Sequence, residues 1–212
     1  MNSGWKAFAF QPEFMLGSYA EGDEVTTARR LDGYTLDDWE SLDPQEGRRI
    51  ELVDGRFVVN AAPAMRHQRV TGRLQTLLDA AVAREGMEAL TAIAARVDRT
   101  PGYIPDVVVT SEFIDAGSVD VRDVTLVVEV VSPSTKKNDR LEKPAAFAAA
   151  GVERYWRVEM VGVVDPTIYC YELDEGVYSL VATLTSGAAG TVAITSTVSV
   201  TFDPADLTRG RR

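Results

Sequence analysis

The sequence predicts an α/β fold of three layers, α/β/α, with a mixed central sheet between helices and extra β-hairpins at its margins. Three observations carry that prediction. A tight hairpin signal is followed by an amphipathic helix, whose apolar residues Val70, Leu74, Leu77, Leu78, Ala81 and Val82 recur with helical spacing. Next comes a series of strand-like segments ending in Leu126-Val127-Val128-Glu129-Val130-Val131, nearly continuous in apolar residues as in a strand covered on both faces. A second helix and a further block of strands follow, so helices and strands are mixed along the chain rather than segregated. A doubly wound nucleotide fold is disfavoured, because neither GxGxxG nor GxxxxGK[ST] is present.

Met1 to Leu31 has no sustained periodicity and is expected to be an N-terminal arm or extension. Thr35 with Asp38 three residues on is a helix-start signal, and Leu36, Trp39 and Leu42 follow at helical spacing, giving a short helix from Thr35 to Leu42. Arg49 to Val53 and Arg56 to Asn60 form a hairpin, since Asp54-Gly55 supplies the positive backbone angles of a two-residue turn. The long helix runs from His67 to Arg84 and stops at Gly86.

Strands are expected at Glu88 to Val97, Tyr103 to Thr110 and Thr125 to Val131, the first two joined by a turn at Pro101-Gly102. Asp139 to Ala150 reads as a helix ending at Gly151, with Pro144 either kinking it or marking the first turn of its regular part. Glu153 to Val158, Thr167 to Leu173 and Val177 to Leu184 are further strands, the last two joined around Asp174-Glu175-Gly176. Ser186 to Gly190 reads as a turn, and Thr208 to Arg212 as a frayed tail.

The 212 residues, 45% apolar and 25% charged, suit one soluble globular domain with decorations. No apolar run approaches the roughly 20 residues of a membrane helix, and the first 20 residues lack a signal-peptide pattern, so a cytoplasmic protein is expected. One cysteine, Cys170, and one histidine cannot form an intramolecular disulfide or a Cys/His zinc site. A metal would therefore be held by carboxylates, which favours a hard cation. The net charge of -10 argues against a broad basic surface, although Arg66, His67, Arg69 and Arg73, and again Lys136, Lys137, Arg140 and Lys143, cluster locally. Each cluster alone reads equally well as a solvated face.

Glu129 is the strongest anomaly, because an unpaired carboxylate inside a buried strand is costly. A salt bridge is the ordinary compensation; a metal or active-site role is the other. Asp106 has the same character, following Pro105 at the start of Val107-Val108-Val109, where a proline costs no ladder bond. On neighbouring strands the two carboxylates could meet at one point and hold magnesium. Tyr155 and Trp156 are expected in the core. No Gly-x-Ser-x-Gly elbow accompanies Ser132 or Ser134, so a serine hydrolase is a poor alternative, and a carboxylate-pair glycosidase has no matching pattern.

Several spaced blocks carry a resemblance: Glu51-Leu52-Val53-Asp54-Gly55, His67-Gln68, Pro105-Asp106-Val107-Val108-Val109, Val128-Glu129-Val130-Val131-Ser132-Pro133-Ser134-Thr135, Asp139-Arg140 with Lys143, and Gly151-Val152-Glu153-Arg154-Tyr155-Trp156. Together, from about Tyr34 to Leu207, they resemble the Uma-type putative restriction endonuclease family of the PD-(D/E)XK nuclease superfamily. The resemblance implies one restriction-endonuclease-like domain over residues 32–207, DNA as substrate, magnesium or manganese as cofactor, and room for a homodimer. By position it implies Asp106 and Glu129 as the motif carboxylates and metal ligands, with Glu51 as the acidic residue that completes the metal shell. Val131 departs from the pattern, standing where the motif lysine belongs. Lys143, within Asp-Arg-x-x-Lys, is the expected substitute, and Lys137 is the second candidate. His67 is a secondary candidate, either as a phosphate contact or as a cap of the long helix. A nuclease fold without turnover, acting as a nucleic-acid or protein binding module, is the rival expectation.

Overall fold

The computed structural model describes residues 26–29, 33–42, 49–60, 62–97, 102–111, 118–131, 138–160 and 166–209. Strand β1 (Thr26–Arg29) is followed by helix α1 (Leu36–Glu40), whose Thr35 cap and Asp38 exchange hydrogen bonds as a capping box. β2 (Arg49–Val53) and β3 (Arg56–Asn60) form the expected hairpin, with positive φ at Asp54 and Gly55. Helix α2 (Met65–Val82) buries Val70, Leu74, Leu78 and Val82 along one stripe.

The chain then runs through β4 (Glu88–Thr91), β5 (Ala94–Arg96), β6 (Gly102–Tyr103), β7 (Val107–Thr110), β8 (Ser118–Asp120) and β9 (Val124–Val131). A π-helical turn, Asn138–Glu142, leads into α3 (Lys143–Ala149), so Pro144 falls in the first α-helical turn, where its missing N–H breaks no bond. β10 (Arg154–Glu159), β11 (Thr167–Asp174), β12 (Val177–Thr185), β13 (Gly190–Ala193) and β14 (Ser199–Phe202) complete the elements.

The central sheet has strand order β12-β11-β10-β9-β7-β4, parallel between β9 and β10 and antiparallel elsewhere. On one face, the α2 stripe packs on Val107, Val109, Leu126, Val128, Val130 and Trp156, and the β13–β14 hairpin closes that core through Val192, Val200 and Phe202. Each fully buried leucine of α2 contributes about 1.5–3 kcal/mol of hydrophobic stabilisation. On the other face lie Phe147 of α3 and a second six-stranded sheet, β1-β3-β2-β6-β5-β8, sharing a core with Val108, Val127 and Tyr155. The mixed sheet between helices is as expected; of the extra strands, β1 from the end of the expected arm, β2, β3, β5, β6 and β8 assemble into this second sheet, and β13 and β14 pair with each other alone. No described helix is long and apolar enough to cross a membrane.

Two segments expected as single strands are each divided between the sheets. Glu88 to Val97 breaks at Ala92, which has φ of +53°, so β4 joins the central sheet and β5 the second one. Tyr103 to Thr110 divides in the same way into β6 and β7, with Asp106 at the break. Gly102 is required where β6 meets β2, because a Cβ there would run into the Trp39 ring. Trp39 is in turn tied to β2 by its indole N–H, donating to the Ile50 carbonyl at 2.7 Å. That contact sets the strand carrying Arg49 and Glu51.

Candidate active site

Arg49 and Glu51 alternate with Ile50 along β2 and therefore share a face of the strand. Glu51 is not the solvent-facing residue that its place between Ile50 and Leu52 allows: it is buried. Its Oε1 accepts from the Ile104 amide at 3.0 Å and lies 3.0 Å from Lys143 Nζ, while Oε2 accepts from Asn60 Nδ2 at 3.0 Å. Glu129, 1% exposed on β9, pairs its Oε1 with the same Nζ at 2.9 Å. The amine of Lys143 thus stands between two buried carboxylates, 5.8 Å from the centre of the Tyr103 ring. Burial and then Glu51 push the Tyr103 phenol up to about 12.

The Val107–Val128 pair of the β7–β9 ladder puts Asp106, one residue earlier, at the level of Glu129. Its Oδ2 accepts from the Val130 amide at 2.8 Å and lies 3.1 Å from His67 Nε2; its Oδ1 accepts from the Arg49 guanidinium at 2.8 Å. Burial alone would raise this carboxyl, but the His67 hydrogen bond and the Arg49 charge outweigh it and hold Asp106 well below the usual carboxylate range. Asp106, Glu129 and Glu51 all act electrostatically on Arg49, keeping its guanidinium charged despite desolvation.

These groups sit where the starts of α2 and α3 approach the ends of β7 and β9. From there a cleft of about 480 Å³ opens, lined by Arg49, His67, Gln68, Thr71, Ile104 and Asp106 among others. It contains the positive-φ residue Ala92. His67 is buried and bonded to Asp106, and its Nδ1 lies 3.4 Å from Thr71 Oγ1, so its side chain is turned to the site instead of capping α2.

Asp106, Glu129, Glu51, Lys143 and His67 are therefore brought together, whereas Lys137 lies outside the described residues. Lys143 and His67 leave the basic surface clusters suggested by the sequence, being buried; Arg73 stays at the surface, donating to the carbonyls of Asp206 and Arg209. Val131, at the motif-lysine position, is buried. Sequence reasoning missed Arg49 and Asn60. Both were detectable: Arg49 is two residues from Glu51 on one strand, and the hairpin register sets Asn60 opposite Arg49.

Asp106, Glu129 and Glu51 form an all-oxygen donor set whose chemistry fits a hard divalent cation. Lys143 and Arg49 supply positive charge to those carboxylates, and among the described residues no three His, Cys, Asp or Glu side chains are grouped closely enough to hold an ion as they stand.

Comparison with known proteins agrees with this architecture. No curated protein matches the chain. Among solved structures it is similar to a putative nuclease belonging to DUF820 from Anabaena variabilis ATCC 29413, with a TM-score of 0.64 at 15% identity, covering 82% of this chain and 96% of that one. At that identity the likeness establishes the fold. The family described as Uma2, putative restriction endonuclease, matches residues 35–202, which take in both carboxylate strands, Lys143 and both helices flanking the site. The chain belongs to the Uma2 family.

Proposed function

We propose that this chain is a metal-dependent endonuclease that hydrolyses DNA phosphodiester bonds, its activity residing in one domain over residues 32–207, between an N-terminal extension and a short tail from residue 208. The observation that carries the reading is the buried set of Glu51, Asp106 and Glu129 facing Lys143 and Arg49, with Asp106 and Arg49 lining the cleft. Asp106, Glu129 and Glu51 would hold magnesium or manganese, which when bound polarises a phosphoryl oxygen and lowers the pKa of water.

Before a cation arrives, Lys143 relieves the repulsion between Glu51 and Glu129. Released from one of them, its amine orients the attacking water and stabilises negative charge on the phosphate, the role that Val131 cannot fill. Arg49, on the cleft wall, is the second cation available to phosphate. His67 and the Val130 amide hold Asp106 ionised and fix its direction. A cytoplasmic location and a homodimer go with this reading.

A binding module without turnover is the second reading. It is favoured by one observation, the pairing of Lys143 with two carboxylates beside a buried valine at the lysine position. The test is cleavage of labelled single-stranded and duplex DNA, with RNA alongside, in magnesium or manganese. Wild type nicks or cuts DNA; Lys143→Ala retains the manganese-induced rise in Tm but loses about 100- to 1,000-fold in rate. Lys137→Ala cuts nearly as wild type, and Asp106→Ala loses most of the metal-induced rise. A wild type that binds DNA but cleaves nothing in any metal overturns the nuclease in favour of the module.

A further inference from the structure

Among the described residues, two buried side-chain nitrogens lack a hydrogen-bond partner, Arg49 Nε and Arg157 Nε. Arg49 lines the cleft of the candidate active site. Arg157 lines a different cavity of about 260 Å³, between α3 and the strands β10 to β12, together with Arg140, Tyr155, Tyr171, Val177 and Tyr178.

The chemistry of this second cavity differs from that of the first. Its aromatic wall is formed by Tyr155 stacked with Tyr178, ring centres 5.5 Å apart, and by Tyr171 at 6.3 Å from Tyr155. Its charge comes from two guanidiniums that share one carboxylate. Arg140 binds Glu159 through Nε at 2.8 Å and Nη2 at 2.7 Å. Arg157 Nε lies 3.1 Å from Glu159 Oε1 without hydrogen-bond alignment, so the contact is an ion pair that leaves the N–H unsatisfied. The Arg157 guanidinium also lies over the rings of Tyr169 and Tyr171, at 4.9 and 5.5 Å. Stacking engages the face of a guanidinium and leaves its edge donors for an anion. The cluster keeps a net positive charge within a chain of net charge -10.

Position links the two sites. In the parallel β9–β10 ladder Arg157 pairs with Glu129, so both side chains leave the same face of the sheet on strands about 4.8 Å apart. Planar aromatic surface beside an arginine fork is the combination that recognises a base and its phosphate.

We propose that the Arg140–Arg157–Tyr171–Tyr178 cavity is a nucleotide-binding subsite: it stacks one base against tyrosine and holds the attached phosphate at the two guanidiniums. Resting on the nuclease reading, it receives the nucleotide adjoining the scissile phosphate of a single-stranded or locally unpaired strand.

The test uses the full chain without divalent metal and two probes: dAMP, and a fluorescein-labelled single-stranded oligonucleotide. Binding is measured by calorimetry and fluorescence anisotropy in wild type, Arg157→Gln and Val177→Asp. Arg157→Gln leaves Glu159 paired with Arg140, and Val177, 64% exposed at the cavity, accepts a charge without stressing the core. Both variants weaken the oligonucleotide by about tenfold, the scale of one stacked base, while the manganese-induced Tm rise is unchanged. Loss of dAMP binding in both variants locates the cavity as a site for free nucleotide as well. If dAMP fails to bind but the oligonucleotide shows the tenfold loss, the subsite recognises a nucleotide within a strand. Unchanged affinities for both probes, or no binding of either by wild type, overturn the subsite. A wild type that binds dAMP in this cavity yet cleaves no nucleic acid separates the subsite, which stands, from the nuclease reading, which falls.

Discussion

The two faces of β9 bury side chains equally well and do so with opposite chemistry. Toward α2, Leu126, Val128 and Val130 meet Val70, Leu74 and Leu78, and only apolar surface is removed from water. Toward α3, one residue away, Glu129 meets Lys143 and, through it, Glu51. Titration follows the same division. On the α2 side the Cys170 thiol has burial alone acting on it and is pushed up to about 12. Asp106, equally buried at the charged end, is held down by His67 and Arg49. Burial by itself therefore does not predict protonation here; the partner brought by the facing element does. The apolar face stabilises the domain, and the charged face keeps carboxylates ionised where desolvation would protonate them.

The largest effect is expected on the charged face. Lys143→Met strands two buried carboxylates and should cost about 3–5 kcal/mol, measured by urea unfolding at pH 7, because removing one partner of a buried pair leaves uncompensated charge. Adding Glu129→Gln should return part of that loss. A Lys143→Met protein as stable as wild type would mean that the amine does not sit between the two glutamates in solution.

On the apolar face, Leu74→Ala should cost about 2–5 kcal/mol, through lost transfer energy and the cavity left behind. The sharper expectation is independence: the metal-induced Tm rise of Leu74→Ala should equal that of wild type. A metal response that disappears with Leu74 would show that the two faces are coupled through β9.

The smallest expected effect concerns pH. Asp106 has a folded-state pKa below its unfolded value of about 3.9, so its ionisation stabilises the fold at neutral pH, and that contribution fades as acid carries the pH below the unfolded value toward the folded one. Arg49→Gln removes one of the groups holding it down. Acid unfolding followed by circular dichroism should therefore begin about half to one pH unit higher in the variant. An unshifted midpoint would assign the depression of Asp106 to His67 and the Val130 amide alone.

What was legible in the residues alone has local causes. Asp54-Gly55 specifies a turn through its backbone angles, which placed the hairpin at Arg49 to Asn60, and the stripe from Val70 to Val82 marked α2 through helical periodicity. A carboxylate within the apolar run of β9 marked Glu129 as needing a partner, and the spaced blocks paired it with Asp106. Only the tertiary structure decided which partner each carboxylate has. It divided Glu88 to Val97 and Tyr103 to Thr110 between two sheets, and formed β8, β13 and β14 from short stretches whose partners are distant or weakly patterned. It also buried Lys143 between Glu51 and Glu129, which come from different sheets, and gave Asp106 to Arg49 and His67. Propensity and periodicity act over a few residues, whereas the neutralisation of a buried charge depends on whatever the rest of the chain brings within about 3 Å of it.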